Sequence, residues 1–133
     1  IAAYLNFAGS CAEAFRFYEQ VLGGTLDMQT HGESPMREHT PPEWHDAVLH
    51  ARLVVGDEVL MGSDAPPQHF ESPQGFSVSL QVEEPEEAER IFAALAQGGE
   101  VRMPLGETFW ARRFGMLVDR FGTPWMVNCG RGG

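Results

Sequence analysis

The sequence predicts an α+β chain built from two βαβββ modules, eight strands in all. Two observations carry this. The first is a long internal repeat: YLNF-AGSCAEAFRFYEQVLGG-TLDM from Tyr4 to Met28 returns, about 75 residues on, as SVSLQV-EEPEEAERIFAALAQGG-EVRM from Ser77 to Met103. Each copy has an alternating segment, an amphipathic run, a Gly-Gly stop and a second extended segment. The second observation is clean two-residue alternation in the segments that follow each copy.

The first helix is predicted to start at Ser10, with Glu13 three residues on as a capping box. Ala14, Phe17, Tyr18, Val21 and Leu22 form its apolar stripe, and Gly23-Gly24 stops it. The second helix begins near Pro85, with Glu84, Glu86 and Glu87 at the positive end of the dipole. Its stripe is Ala88, Ile91, Phe92 and Leu95, and its stop is Gly98-Gly99. In Phe76–Val82 the residues Phe76, Val78, Leu80 and Val82 share one face, and Ser77, Ser79 and Gln81 the other. In Val48–Val55 the residues Leu49, Ala51, Leu53 and Val55 oppose His50 and Arg52, and Gly56-Asp57 signals a hairpin. Further strands are expected at Val59–Ser63, Glu100–Pro104, Phe114–Asp119 and Pro124–Cys129. Two proline-bearing segments separate these elements. His31–Asp46 is expected to hold one short helical turn near Glu43–Asp46, and Asp64–Gln74 joins the modules, which span roughly 1–64 and 75–133 of a single domain.

At 133 residues, with 43% hydrophobic and 21% charged residues, the chain can bury a sizeable core. The net charge of −10, with only nine Lys plus Arg, argues against nucleic acid, whose phosphates need clustered cations. No apolar run approaches the roughly 18 residues that cross a bilayer, and no secretory leader opens the sequence, so no membrane partner and a cytoplasmic location are expected. Cys11 and Cys129 cannot build a disulfide framework and read as small buried hydrophobes.

Three segments, YLNFAGSCAEAFRFY (Tyr4–Tyr18), LHARLVVGDEVLMGSDA (Leu49–Ala65) and ETFWARRFGMLVDRFGTPWMVNC (Glu107–Cys129), resemble the vicinal oxygen chelate superfamily of glyoxalase I, bleomycin-resistance proteins and extradiol dioxygenases. The closer resemblance is to its PhnB-like branch. It implies a cupped eight-stranded mixed sheet with helices on the convex face, a central cavity and a homodimer. The superfamily's metal enzymes place His or Glu on four cup-facing strand positions. Carried over, these fall on Ala2 (or Ala3), Met61, Ser77 and Met126, none of which suits a divalent metal. No cofactor is therefore predicted.

Strand parity gives a cup-facing set of Tyr4, Asn6, His50, Arg52, Met61, Ser63, Ser77, Ser79, Gln81, Met126 and Asn128, the mixture of polar tips and thioethers found in small-molecule pockets. His50 is the candidate acid–base group, expected partly buried among Asn6, Gln81, Asn128 or Glu107. Glu107 is its candidate catalytic partner, and Phe109 and Trp110 are candidate cavity walls. Asp64 is expected to cap the turn that follows it. Arg112-Arg113 is a candidate anion site, with a solvated strand end as the plain alternative. His31, His39, His45 and His50, interspersed with Glu33, Glu38 and Glu43, match no metal-ligand spacing, and no phosphate loop, nucleophile signature or methyl-donor loop is present. The expected function is binding of a small-molecule ligand without the superfamily's metal. The alternative is a divalent-metal lyase, isomerase or dioxygenase using His50 and Glu107.

Overall fold

The computed structural model describes residues 1–130, so the last three residues of the second expected module lie outside the described residues. The chain divides into two units, Ile1–Glu71 and Ser72 onward, with the boundary inside the expected linker. Each holds a four-stranded mixed sheet and one α-helix, and the fold class is α+β. No helix among the described residues is long and apolar enough to cross a membrane.

The first unit runs β1 (Ala3–Phe7), α1 (Cys11–Leu22), β2 (Thr25–Thr30), β3 (Val48–Val55) and β4 (Glu58–Asp64). Its strand order is β1-β4-β3-β2, with β1 parallel to β4 and the other pairs antiparallel. The second unit repeats this as β5 (Val78–Val82), α2 (Pro85–Ala96), β6 (Glu100–Gly106), β7 (Ala111–Val118) and β8 (Pro124–Gly130), in the order β5-β8-β7-β6. The α2 stripe is buried as its spacing predicts: Ala88, Ile91, Phe92 and Leu95. In α1 the stripe widens to include Cys11 and Phe15, while Leu22 is only half-buried. Phe15 packs edge-on against Phe7 and Tyr18, at centroid distances of 6.1 and 5.6 Å. It has room because Gly62 on β4 carries no side chain; a Cβ there would stand 2.7 Å from the Phe15 ring. Gly115 on β7 makes the same allowance for Phe92.

Five local expectations are corrected. The Ser10–Glu13 capping box does not form, since the Ser10 side chain makes no cap bond. Asp64 takes its place: Oδ1 accepts from Gly9 N (2.9 Å) and Cys11 N (3.0 Å), and Oδ2 from Val48 N (2.9 Å). The carboxylate therefore caps α1 across the sheet instead of its own following turn, at the helix end where negative charge is favoured. Thr30 pairs with Val48 while Gln29 pairs with His50, so Leu49 is the extra residue of a bulge. That turns Val48 into the core (1% exposed) and leaves Leu49 half-buried. Strand β5 starts at Val78, opposite Trp125, because the preceding position on β8 is Pro124, which offers no N–H to the ladder. Phe76 is consequently 51% exposed, outside the strand and the core. The 31–47 segment holds two 3-10 turns, Pro35–His39 and Pro42–Trp44, where one was expected.

Both cysteines are free and fully buried. Burial, and secondarily the Asp64 charge, push the Cys11 thiol up to about 12, so it stays protonated and inert.

Asp64→Ala is expected to strand two buried backbone donors and one part-buried one, and to lower stability by roughly 2–4 kcal/mol. Urea denaturation checks this; a change under about 0.5 kcal/mol would show that the carboxylate is not what holds the β1–α1 turn.

Candidate functional site

In each unit the helix covers one face of the sheet, and alternation sends the remaining side chains to the other. In the first unit β3 buries Ala51 and Leu53 while His50 and Arg52 are exposed, and β4 buries Leu60 and Gly62 while Met61 and Ser63 are half-buried. The register places Tyr4 beside Met61 and Met61 beside Arg52, with Asn6 beside Ser63 one level along. Tyr4 reaches across β4: its Oη lies 3.3 Å from His50 Nδ1, with ring centroids 5.8 Å apart. His50 is thus exposed where partial burial was expected, and its hydrogen-bonding neighbour is a phenol. Tyr4 and His50 together form a proton donor–acceptor pair on an open polar face.

The corresponding face of the second unit has two rows. One runs Ser79, Met126, Met116, Met103, and the other Gln81, Asn128, Phe114, Gly106. Asn128 Nδ2 donates to Gln81 Oε1 (2.7 Å), and Gln81 Nε2 donates to Ser79 Oγ (3.2 Å). Asn128 Oδ1 is buried and has no hydrogen-bond partner. Beside it, Phe114 meets Trp110 edge-on at 5.4 Å, and Trp110 meets Phe109 at 4.8 Å. The turn between β6 and β7 presents both, clamped by Thr108 N donating to Ala111 O (2.9 Å) and Ala111 N donating to Thr108 Oγ1 (3.0 Å). Phe109 is 89% and Trp110 48% exposed; Glu107, in the same turn, is also exposed. Ser77 lies just before β5 and, with Phe76, Met116 and Met126, lines an open groove of about 450 Å³.

Phe114 and Met116 belong to this face but are absent from the cup-facing set given by parity, although the expected strand Phe114–Asp119 contains both; the burial of Gly115 and Leu117 on the helix side sends them the other way. Arg112 and Arg113 make a poor anion site. Arg112 donates to the carbonyls of Gly130 and Glu83, and Arg113 to Glu89 Oε1 (3.0 Å) and Arg112 O (2.7 Å), so both guanidinium groups brace the fold.

The residues present do not fit a divalent metal at the four expected positions, which offer an alanine, two thioethers and a hydroxyl. Among the described residues, no three His, Cys, Asp or Glu side chains gather into a ligand set. In the His-rich segment, His45 Nε2 faces the carbonyls of Thr40 (2.9 Å) and Arg37 (3.2 Å). Hydrogen bonds from the Thr30 hydroxyl and amide hold the Glu33 carboxyl below its usual range.

A family model described as the Glyoxalase/Bleomycin resistance protein/Dioxygenase superfamily matches residues 1–127. The chain is 37% identical to protein YjdN of Escherichia coli (strain K12), over 96% of this chain and 93% of that one. Among solved structures it is similar to protein PA1353 from Pseudomonas aeruginosa, with 54% identity, a TM-score of 0.91, and 99% and 98% of the two chains covered. It is also similar to a PhnB protein from Bacillus cereus, with 26% identity, a TM-score of 0.80 and 98% of each chain covered.

Of the three tryptophans, Trp110 is the most accessible at 48% exposed, against a half-buried Trp44 and a Trp125 that is 1% exposed. Trp110→Phe is therefore expected to cut acrylamide quenching to the smaller contribution of Trp44 while changing stability by no more than about 0.5 kcal/mol. Quenching undiminished by the substitution would show that Trp110 is not the most exposed chromophore.

Proposed function

The chain belongs to the Glyoxalase/Bleomycin resistance protein/Dioxygenase superfamily, and on that premise we propose that it is a small-molecule-binding protein of the PhnB-like branch, working without the superfamily's divalent metal. The ligand lies on the sheet faces turned away from the helices. The observation that carries this reading is the buried, unpartnered Asn128 Oδ1 beside the Phe114–Trp110–Phe109 edge. A buried acceptor with no donor costs roughly 1–3 kcal/mol, and a ligand N–H or O–H would recover it. Aromatic walls with few, placed polar groups are the usual composition of a small-molecule site. On the first unit's face, Tyr4, His50 and Arg52 supply proton transfer and a positive charge, with His50 as the acid–base group. Glu107, exposed in the aromatic turn, is the carboxylate assigned to a cationic substituent of the ligand.

A thermal-shift screen combined with elemental analysis tests the reading. A true ligand at about 100 times its dissociation constant stabilises by about 2.7 kcal/mol, a rise of several degrees in Tm, and quenches Trp110. Asn128→Leu is expected to fold and to lose that shift. Stoichiometric zinc, nickel, iron or manganese in the purified protein would overturn the metal-free reading and favour the lyase, isomerase or dioxygenase alternative.

The same premise supports a homodimer. Each sheet ends in two strands with a single ladder partner, an arrangement that favours covering by another chain. Sedimentation at micromolar concentration is expected to give twice the chain mass, and a stable monomer would count against it.

A further inference from the structure

The Ser79 row of the second unit contains three of the chain's six methionines. Met116 is the register partner of Met126 on one side and, between two register shifts of β6, of Met103 on the other, so the three are paired neighbours on β8, β7 and β6. The alternation of β7 and β8 buries Leu117 and Val127 against the helix side and sends Met116 and Met126 the other way. Opposed residues on antiparallel strands have Cβ atoms about 4.5–5.5 Å apart. With three rotatable bonds each, the two outer thioethers can fold over the central one.

Apolar lining alone explains this row poorly. Met103 sits on the edge strand at 43% exposure and gains little from burial. Met116 and Met126 line the open groove of about 450 Å³, which is lined by no carboxylate, imidazole or thiol. Its one charged lining residue, Arg102, is paired with Glu100 (3.3 Å).

We propose that Met103, Met116 and Met126 form a thioether site for a soft monovalent cation, copper(I), with silver(I) as its redox-inert analogue. Neutral, polarizable sulfur selects such ions and discriminates against zinc, magnesium and calcium, so this site differs in its chemistry from the superfamily's divalent centre, although Met126 stands at one of that centre's four expected positions. It also stands apart from the small-molecule reading, which rests on Asn128 and the aromatic edge. A thioether has no proton to lose at physiological pH, so affinity is retained in acid, where imidazole and thiolate sites fail. The chain's thiols are withdrawn: Cys11 and Cys129 are both fully buried.

The test is a silver(I) titration of the full chain carrying ¹³C-methyl methionine, in chloride-free buffer at about pH 7 and about pH 5, the latter below the histidine range. One equivalent is expected to shift the Met103, Met116 and Met126 methyl resonances and leave those of Met28, Met36 and Met61 in place, equally at both pH values. Copper(I) under ascorbate is expected to do the same. Met116→Leu, nearly volume-conserving, is expected to keep the unliganded spectrum and abolish the saturable shift at Met103 and Met126. Shifts spread over all six methyls, binding that disappears at about pH 5, or no saturable shift would overturn the proposal.

Discussion

A single twelve-residue helix can cover only one face of a four-stranded sheet, and the arrangement of both units follows from that one-sided burial. Because strand side chains alternate, committing Ala51, Leu53 and Leu60 to α1 commits His50, Arg52 and Met61 to the opposite face. The same holds for Leu117 and Val127 against Met116 and Met126 in the second unit. Chemistry-bearing residues on these strands are therefore not free to drift. A one-residue slip in register would exchange the whole polar set for the whole apolar one, at the cost of the core.

The fold was legible wherever its cause is local. The α2 stripe, the Gly-Gly stops and the first-turn glutamates are short-range patterns, and each appears in place. Gly24 and Gly99 even show why the second glycine of each stop matters: a Cβ would run into the carbonyls of Val54 and Val118, 2.1 and 2.2 Å away. What escaped depends on partners far along the chain. Ser10 looks like a cap, yet it is Asp64, from the end of β4, that binds the Gly9 and Cys11 amides on either side of it, and nothing near Ser10 announces this. The bulge at Leu49 is likewise a property of the β2–β3 pair, invisible in β3 alone.

The candidate site was legible to the same depth. Parity put His50, Arg52, Gln81 and Asn128 on one kind of face, because alternation is intrinsic to a strand. It could not supply the Tyr4–His50 contact, which spans an intervening strand, nor the edge-on contact of Trp110 with Phe114, which needs the turn held by Thr108 and Ala111. Arg112 shows the opposite error. Its charge suggested a ligand, but its guanidinium closes the gap between the ends of β5 and β8 by binding their carbonyls.

The strand order has a consequence for how the chain acquires its structure. In each unit the first strand pairs in parallel with the last, β1 with β4 and β5 with β8. As the chain leaves the ribosome, β1 and α1 emerge with nothing to complete their ladder until the entire unit has been made. The hairpin of β3 and β4, by contrast, closes over only Gly56 and Asp57 and can zip at once. Formation of each sheet then waits on a non-local parallel pairing, whose loop-closure entropy must be met before its hydrogen bonds contribute. The last strand to be synthesised is the one that locks the first.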